Sequence, residues 1–320
     1  MNVLFMGTSG FAVPSLKALI KAGHNVTRVV TQPDRPSGRG RKISVSPVKE
    51  AALEAGIPVW QPERVKEESF VQAVRELSPR LIVVAAFGQI IPKSILSIPP
   101  LGSINVHASL LPKYRGAAPV HYALFNGDKV TGVTTMLMEP GLDTGPILLQ
   151  REVDILPQDN QGTLEARLAD AGAVLLIETI DALERGAVHP SPQDNSVATY
   201  APSVKREECL ITWEKSAQHI VNRVRGCNPR PGAYTVWRGS LLKIWNALPA
   251  DTSNDASAPG EVEQADSHGI RVRAGRGSVL LIEVQPEGKK RMHAAEFARG
   301  HQITTSGYQI TKDKHHNQLI

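Results

Sequence analysis

Three side chains near the middle of the sequence have the types and spacing of a small acid–base site: Asn105, His107 and Asp143. The alternation Ser103-Ile104-Asn105-Val106-His107 reads as a strand, which sets Asn105 and His107 on one face. An asparagine amide can steady an oxyanion, an imidazole moves a proton near neutral pH, and a carboxylate can orient that imidazole. The trio suits acyl transfer to an amine. Asp143 lies in the turn-rich run Glu139-Pro140-Gly141-Leu142-Asp143-Thr144-Gly145, which follows a second apolar strand expected over residues 130–138. By spacing alone, a histidine at a strand end is more often structural, and the run around Asp143 can be only a turn.

The elements that must position these residues follow from hydrophobic periodicity. Strands are expected at 2–7, 25–31, 81–87, 103–107 and 130–138, with helices at 12–22, 47–55, 69–77, 118–126 and 164–185. This alternation predicts a doubly wound sheet, with the three side chains meeting at the carboxyl ends of two parallel strands. The run from Leu81 to Phe87 is apolar throughout, as a central strand buried on both faces requires, and is far too short to span a bilayer. A polar, proline-rich linker is expected at 190–204, dividing a domain at 1–189 from one at 205–320. The second part predicts a helix at 216–224 and short strands at 233–238, 241–247, 261–264, 269–274 and 278–284, a pattern that suits a small β-barrel of the OB type.

Composition narrows the class. With 41% hydrophobic and 21% charged residues over 320 positions, the chain reads as a globular protein of two domains. It enters a strand at once without a basic leader, so a cytoplasmic place is expected. Cys209 and Cys227 form no CxxC pair and have no histidine at zinc-site spacing. No metal is expected, and the cysteines read as ordinary thiols, with a disulfide as the other reading. Residues 1–204 carry 19 Lys and Arg against 19 Asp and Glu, whereas residues 205–320 carry 17 against 12. The whole net charge of +5 thus belongs to the second part, which fits a surface that follows phosphates.

The run NVHASLLPKYRG, followed by GLDTGPIL, resembles the signature of the 10-formyltetrahydrofolate-dependent formyltransferases. The resemblance implies an α/β, doubly wound, Rossmann-like catalytic domain followed by a small OB-like barrel. It implies that Asn105, His107 and Asp143 are catalytic and that Ser109, Leu110, Leu111 and Pro112 contact the folate. The turn from Phe87 to Ile91, including Gln89 and Ile90, is expected to wall the pterin pocket, and Phe11 to lie against the substrate. Within the family, members that formylate the methionine carried by initiator tRNA have a basic insertion that enters the acceptor stem. The segment Asp34-Arg35-Pro36-Ser37-Gly38-Arg39-Gly40-Arg41-Lys42 matches that insertion, with Arg39 in the place of its key arginine. Arg41, Lys42, Arg115, Arg223, Arg271 and Arg273 are expected to extend the tRNA-binding surface. A monomer is expected, with 10-formyltetrahydrofolate as formyl donor, initiator tRNA charged with methionine as acceptor, and no membrane.

Two other readings stand beside this one. A relative acting on a glycinamide ribonucleotide or an amino sugar would share the Asn-His-Asp site but lack the basic loop. Alternatively, the turn Gly7-Thr8-Ser9-Gly10-Phe11 and Asp34 invite a nicotinamide-dependent reading in which Asn105 and His107 are structural. That fingerprint fits poorly, because Ser9 and Ala12 stand where the dinucleotide turn requires glycine.

Overall fold

The structure, a computed structural model, describes residues 1–37, 42–251, 257–303 and 310–311. One compact unit comprises residues 1–119, 130–154 and 164–202. In it β1 (Asn2–Gly7), α1 (Val13–Lys21) and β2 (Asn25–Val30) lead to a short hairpin of β3 (Arg35–Ser37) and β4 (Lys42–Ser44). There follow α2 (Pro47–Glu54), β5 (Val59–Trp60), α3 (Glu68–Leu77), β6 (Leu81–Ala85), α4 (Lys93–Leu96) and β7 (Ser103–His107). After α5 (Pro119–Asn126) come β8 (Val130–Leu137), β9 (Ile147–Asp154) and α6 (Gln161–Glu184).

The strand order is β5-β2-β1-β6-β7-β8-β9. Every residue of β6 is buried, as is every residue of β1 after Asn2, which is what their unbroken apolar sequence requires at the centre of a covered sheet. The pairings from β5 to β7 are parallel, but β8 is antiparallel to both β7 and β9, so the expectation of two parallel strands at the site is corrected. A parallel pair needs a crossover that returns the chain along the sheet. Residues 120–129, which hold most of α5, pack instead into the second unit, and β8 starts from the end at which β7 finishes. His107 consequently lies opposite Thr134, and Asn105 opposite Met136.

Gly132 on β8 is what lets its neighbours close in, since a Cβ there would collide with the Arg151 carbonyl on β9 and with the Leu110 side chain.

Residues 120–129, 155–163 and 203–320 make the second unit. Its elements are α7 (Ala217–Cys227), β10 (Ala233–Trp237), β11 (Ser240–Ala250), β12 (Val262–Asp266), β13 (Gly269–Arg273), β14 (Ser278–Pro286), β15 (Met292–His293), α8 (Ala294–Gly300) and β16 (Ile310–Thr311). The antiparallel order is β12-β13-β14-β11-β10-β16, with β15 on β14. Register irregularities in β11 and β12 bend the sheet, and its two ends meet where Ile310 N–H donates to the Gly260 carbonyl at 2.8 Å. Trp213 fills the interior and donates its indole N–H to Thr235 Oγ1 at 3.1 Å, so the one polar atom of that large ring is satisfied. Cys209 and Cys227 are free and fully buried, with the Cys227 thiol directed at the Cys209 sulfur at 2.7 Å. That contact and burial push the Cys227 thiol far above the ordinary range.

Replacing Gly132 by Ala should cost about 2 kcal/mol or more, because the added methyl meets backbone that cannot yield; urea unfolding of the variant measures it. Neither cysteine should react with a thiol reagent in the native protein, and both should react once it is unfolded.

Candidate active site

Asn105 and His107 project from β7 toward Asp143, which returns to them from the loop after β8. Asn105 Nδ2 donates to Asp143 Oδ1 at 3.3 Å, and His107 Nδ1 lies 3.6 Å from Asp143 Oδ2. That second oxygen also accepts the Gly116 backbone N–H at 2.8 Å. Both carboxylate oxygens therefore have partners in a largely enclosed place. On the far side of the imidazole, Nε2 lies 3.0 Å from the Tyr114 carbonyl. A carbonyl only accepts, so Nε2 carries a hydrogen and Nδ1 is the nitrogen turned to the carboxylate. His107 is only 5% exposed.

Asp143 holds a φ of +52°, a left-handed conformation that costs energy for a residue with a Cβ. Tyr114, which supplies the carbonyl to His107, is also left-handed at +62°. Backbone strain thus gathers on both sides of the imidazole.

The loop at 109–112 is held from below. Thr134 Oγ1 donates to the Ser109 carbonyl at 2.7 Å and accepts from Leu111 N–H at 3.1 Å, while Gln150 Nε2 donates to the Leu111 carbonyl at 2.9 Å. Ser109 Oγ is spent on the Lys113 carbonyl at 2.6 Å. The side chains of Ser109 and Leu111 are enclosed, whereas Leu110, which lies against Gly132 on β8, and Pro112 are half-buried.

In the turn after β6, Phe87 and Ile91 are buried, and Gln89 is tied to the Val65 N–H at 3.0 Å. Ile90, by contrast, is 93% exposed and presents an apolar surface. Phe11, expected against a substrate, is packed inside, because its short 3-10 turn faces the core.

The expectation that Arg115 contacts tRNA is also corrected, for this side chain is 2% exposed. Residues 199–201 run against the chain at 115, with Arg115 N–H donating to the Thr199 carbonyl and Ala201 N–H to the Arg115 carbonyl, both at 2.8 Å. The guanidinium is drawn inward by acceptors on the same segment, the side chains of Gln193 and Asn195. A buried guanidinium needs such acceptors.

Arg271 and Arg273 share the outer, half-buried face of β13, between the buried Ile270 and Val272. Arg223 places its guanidinium over the Phe125 ring at 3.9 Å and lines a cavity of 380 Å³ with Glu207, Glu208, Lys215 and His219. Arg39 and Arg41 lie outside the described residues, and Lys42 opens β4. Asp34 is committed to Lys49 and Gln61, whose hydrogen bonds hold its carboxyl below the ordinary range. It is not free to take a ribose, which removes the acidic residue the nicotinamide reading needed. Among the described residues, no cluster of three or more His, Cys, Asp or Glu could hold a metal, and no helix is long and apolar enough to cross a membrane.

Thr134, Gln150 and Gln193 were not expected to support the site. Thr134 stands beside Thr135 and Gln150 beside Arg151, ordinary polar residues of two strands, and Gln193 sits in a proline-rich stretch that reads as linker. No local signal marks them.

Comparison with known proteins bears on the whole chain. The formyl transferase family matches residues 1–180, and its C-terminal domain matches residues 203–302. The chain is 50% identical over 300 residues to a methionyl-tRNA formyltransferase of Pelotomaculum thermopropionicum, covering 94% of this chain and 96% of that one. It is 47% identical over 313 residues to the methionyl-tRNA formyltransferase of Citrifermentans bemidjiense, covering 98% of each. Among solved structures it resembles HypX from Aquifex aeolicus in complex with tetrahydrofolic acid, with a TM-score of 0.63 and 16% identity over 97% of this chain and 48% of that one. The N-formyltransferase of Helicobacter canadensis, in complex with folinic acid and dTDP-3-aminofucose, matches with a TM-score of 0.64 and 18% identity over 89% of this chain and 98% of that one. The two solved structures speak for the fold, and the near-complete match to the enzymes of similar length places this chain in the formyl transferase family, among the methionyl-tRNA formyltransferases.

Proposed function

We propose that this protein transfers the formyl group of 10-formyltetrahydrofolate to the α-amino group of methionine on initiator methionyl-tRNA, giving N-formylmethionyl-tRNA. The observation that carries the reading is the convergence of Asn105 and His107 on the single carboxylate of Asp143. Bound 10-formyltetrahydrofolate would supply the formyl carbon, carried on nitrogen as an amide. Asn105 spends one amide hydrogen on Asp143 and has a second for the oxygen on which charge develops as the amine attacks. His107 keeps its Nε2 hydrogen on the Tyr114 carbonyl and receives the amine's proton at Nδ1. Asp143 faces that nitrogen and balances the imidazolium charge, after which the same proton is available to the departing nitrogen. The exposed apolar side chain of Ile90 and the loop at Leu110 and Pro112 suit the flat pterin ring.

Substrate choice is a separate task. The basic segment bearing Arg39, Arg41 and Lys42 and the outer face of β13 with Arg271 and Arg273 would take the tRNA, with Arg223 beside its cavity in the same second unit. The division into a catalytic domain at 1–189 and a tRNA-binding domain at 205–320 belongs to this reading, as do a monomeric state and a cytoplasmic place; of the linker expected at 190–204, residues 190–202 belong to the first compact unit.

The test is formyl transfer from 10-formyltetrahydrofolate to charged initiator tRNA, with glycinamide ribonucleotide as control acceptor. Asn105→Ala should lower kcat by about 10²–10³, and His107→Ala by about 10²–10⁴. Formylation of the small acceptor with untouched tRNA would leave the chemistry standing and overturn the substrate. Affinity for tRNA should fall about tenfold or more between about 50 mM and about 200 mM salt, and a salt-independent Kd would remove the phosphate-tracking role.

A further inference from the structure

Gln193 lies outside the residues that touch the reacting groups, yet it makes four hydrogen bonds within the site. Its Nε2 donates to the Asp143 carbonyl and to the Gly145 carbonyl, each at 2.8 Å. Its Oε1 accepts from Arg115 Nε at 3.0 Å and from Arg115 Nη2 at 2.7 Å. The guanidinium can only donate and the two carbonyls can only accept, so the orientation of the amide is fixed by its partners. Arg115 Nη2 donates in addition to Asn195 Oδ1 at 2.9 Å.

This arrangement closes a circuit around the carboxylate. Arg115 is followed in the chain by Gly116, whose N–H donates to Asp143 Oδ2, while Gln193 grips the backbone carbonyl of Asp143 itself. The same carboxylate is thus located once through its side chain and once through its main chain, and both routes run through Arg115. Without the clamp, Asp143 has reason to leave: its φ of +52° is strained, and Leu142 beside it is exposed and supplies no buried anchor. Gly145 cannot be crowded either, since a Cβ there would strike the Leu137 carbonyl.

We infer that Gln193, braced by Arg115 and Asn195, is a positioning residue for the transfer step: it holds the strained Asp143 loop at the distance from His107 that the proton transfer needs. The inference rests on the catalytic reading of His107 and Asp143 given above. A second-layer contact of this kind sets where the reacting groups stand without touching substrate, so its removal is felt in kcat.

Q193E separates the two ends of the clamp. A glutamate retains acceptors for Arg115 but has no hydrogen for the carbonyls of Asp143 and Gly145. It should lower kcat for formyl transfer by about tenfold or more while leaving KM for tRNA and for the formyl donor within about threefold. In an amide NMR spectrum the Gly116 N–H, bonded to the carboxylate in the native protein, should shift upfield. A kcat within about twofold of the native value, or an unmoved Gly116 resonance, overturns the inference, as does a loss confined to KM. Should Q193E fail to fold, N195A loosens only the Arg115 end; it should show the Gly116 shift with a several-fold smaller fall in kcat, and its absence overturns the inference equally. His107→Ala run alongside keeps two failures apart. An active His107→Ala sinks the catalytic reading, whereas an inactive His107→Ala beside a fully active Q193E sinks the clamp alone.

Discussion

The Asp143 carboxylate is the point on which the rest of the site depends. One oxygen takes the Asn105 amide, and the other takes the Gly116 N–H while facing His107. A carboxylate has enough lone pairs for all three, and in the proposed transfer it is the group that faces the proton-accepting nitrogen of His107. The price is conformational, since Asp143 must adopt a left-handed backbone to bring both oxygens round. Much of the surrounding structure consists of bonds that keep it there.

The groups around the carboxylate are placed by three separate parts of the chain. The central strands, buried on both faces, give β7 a fixed direction, and with it Asn105 and His107. The antiparallel β8 and β9 then supply Thr134 and Gln150, whose side chains hold the backbone of the loop at 109–112. Last, the segment at 193–201 adds Gln193, Asn195 and Thr199 around residues 114–116, with Thr199 Oγ1 accepting from Tyr114 N–H at 2.8 Å. A segment with the composition of a linker thereby becomes a wall of the site. Loops that carry function are commonly positioned by a rigid scaffold, and here one irregular segment is the scaffold for another.

The second unit solves a different problem. Its core gathers around Trp213, α7 and the strands from β10 to β14, while β13 turns its two arginines to the outside. A small barrel of short strands can carry cations on its outer face at little cost to its packing, because the alternation of a strand puts core and surface in the same sequence. This agrees with a net charge that resides wholly in the second part of the chain. The contrast with Arg115 is instructive. That arginine belongs to the neutral first part, lies in a loop that reads as exposed, and is drawn inside by acceptors supplied from far along the chain.

The sequence by itself determined the local elements and the identities of the central chemical groups. Period-two alternation put Asn105 with His107 and Arg271 with Arg273, unbroken apolar runs marked the central strands, and glycine with proline marked the turn that carries Asp143. Tertiary structure alone decided the direction of β8, the enclosure of Phe11 and Arg115, and the use of Gln193, Thr134 and Gln150 as supports. The physical reason is one of range. Side-chain periodicity and backbone preference act over a few residues and are written locally, whereas strand direction and the satisfaction of a buried guanidinium depend on partners tens of positions away. A glutamine in a proline-rich stretch carries no mark of the loop it will hold; only the folded chain brings Gln193 to Asp143.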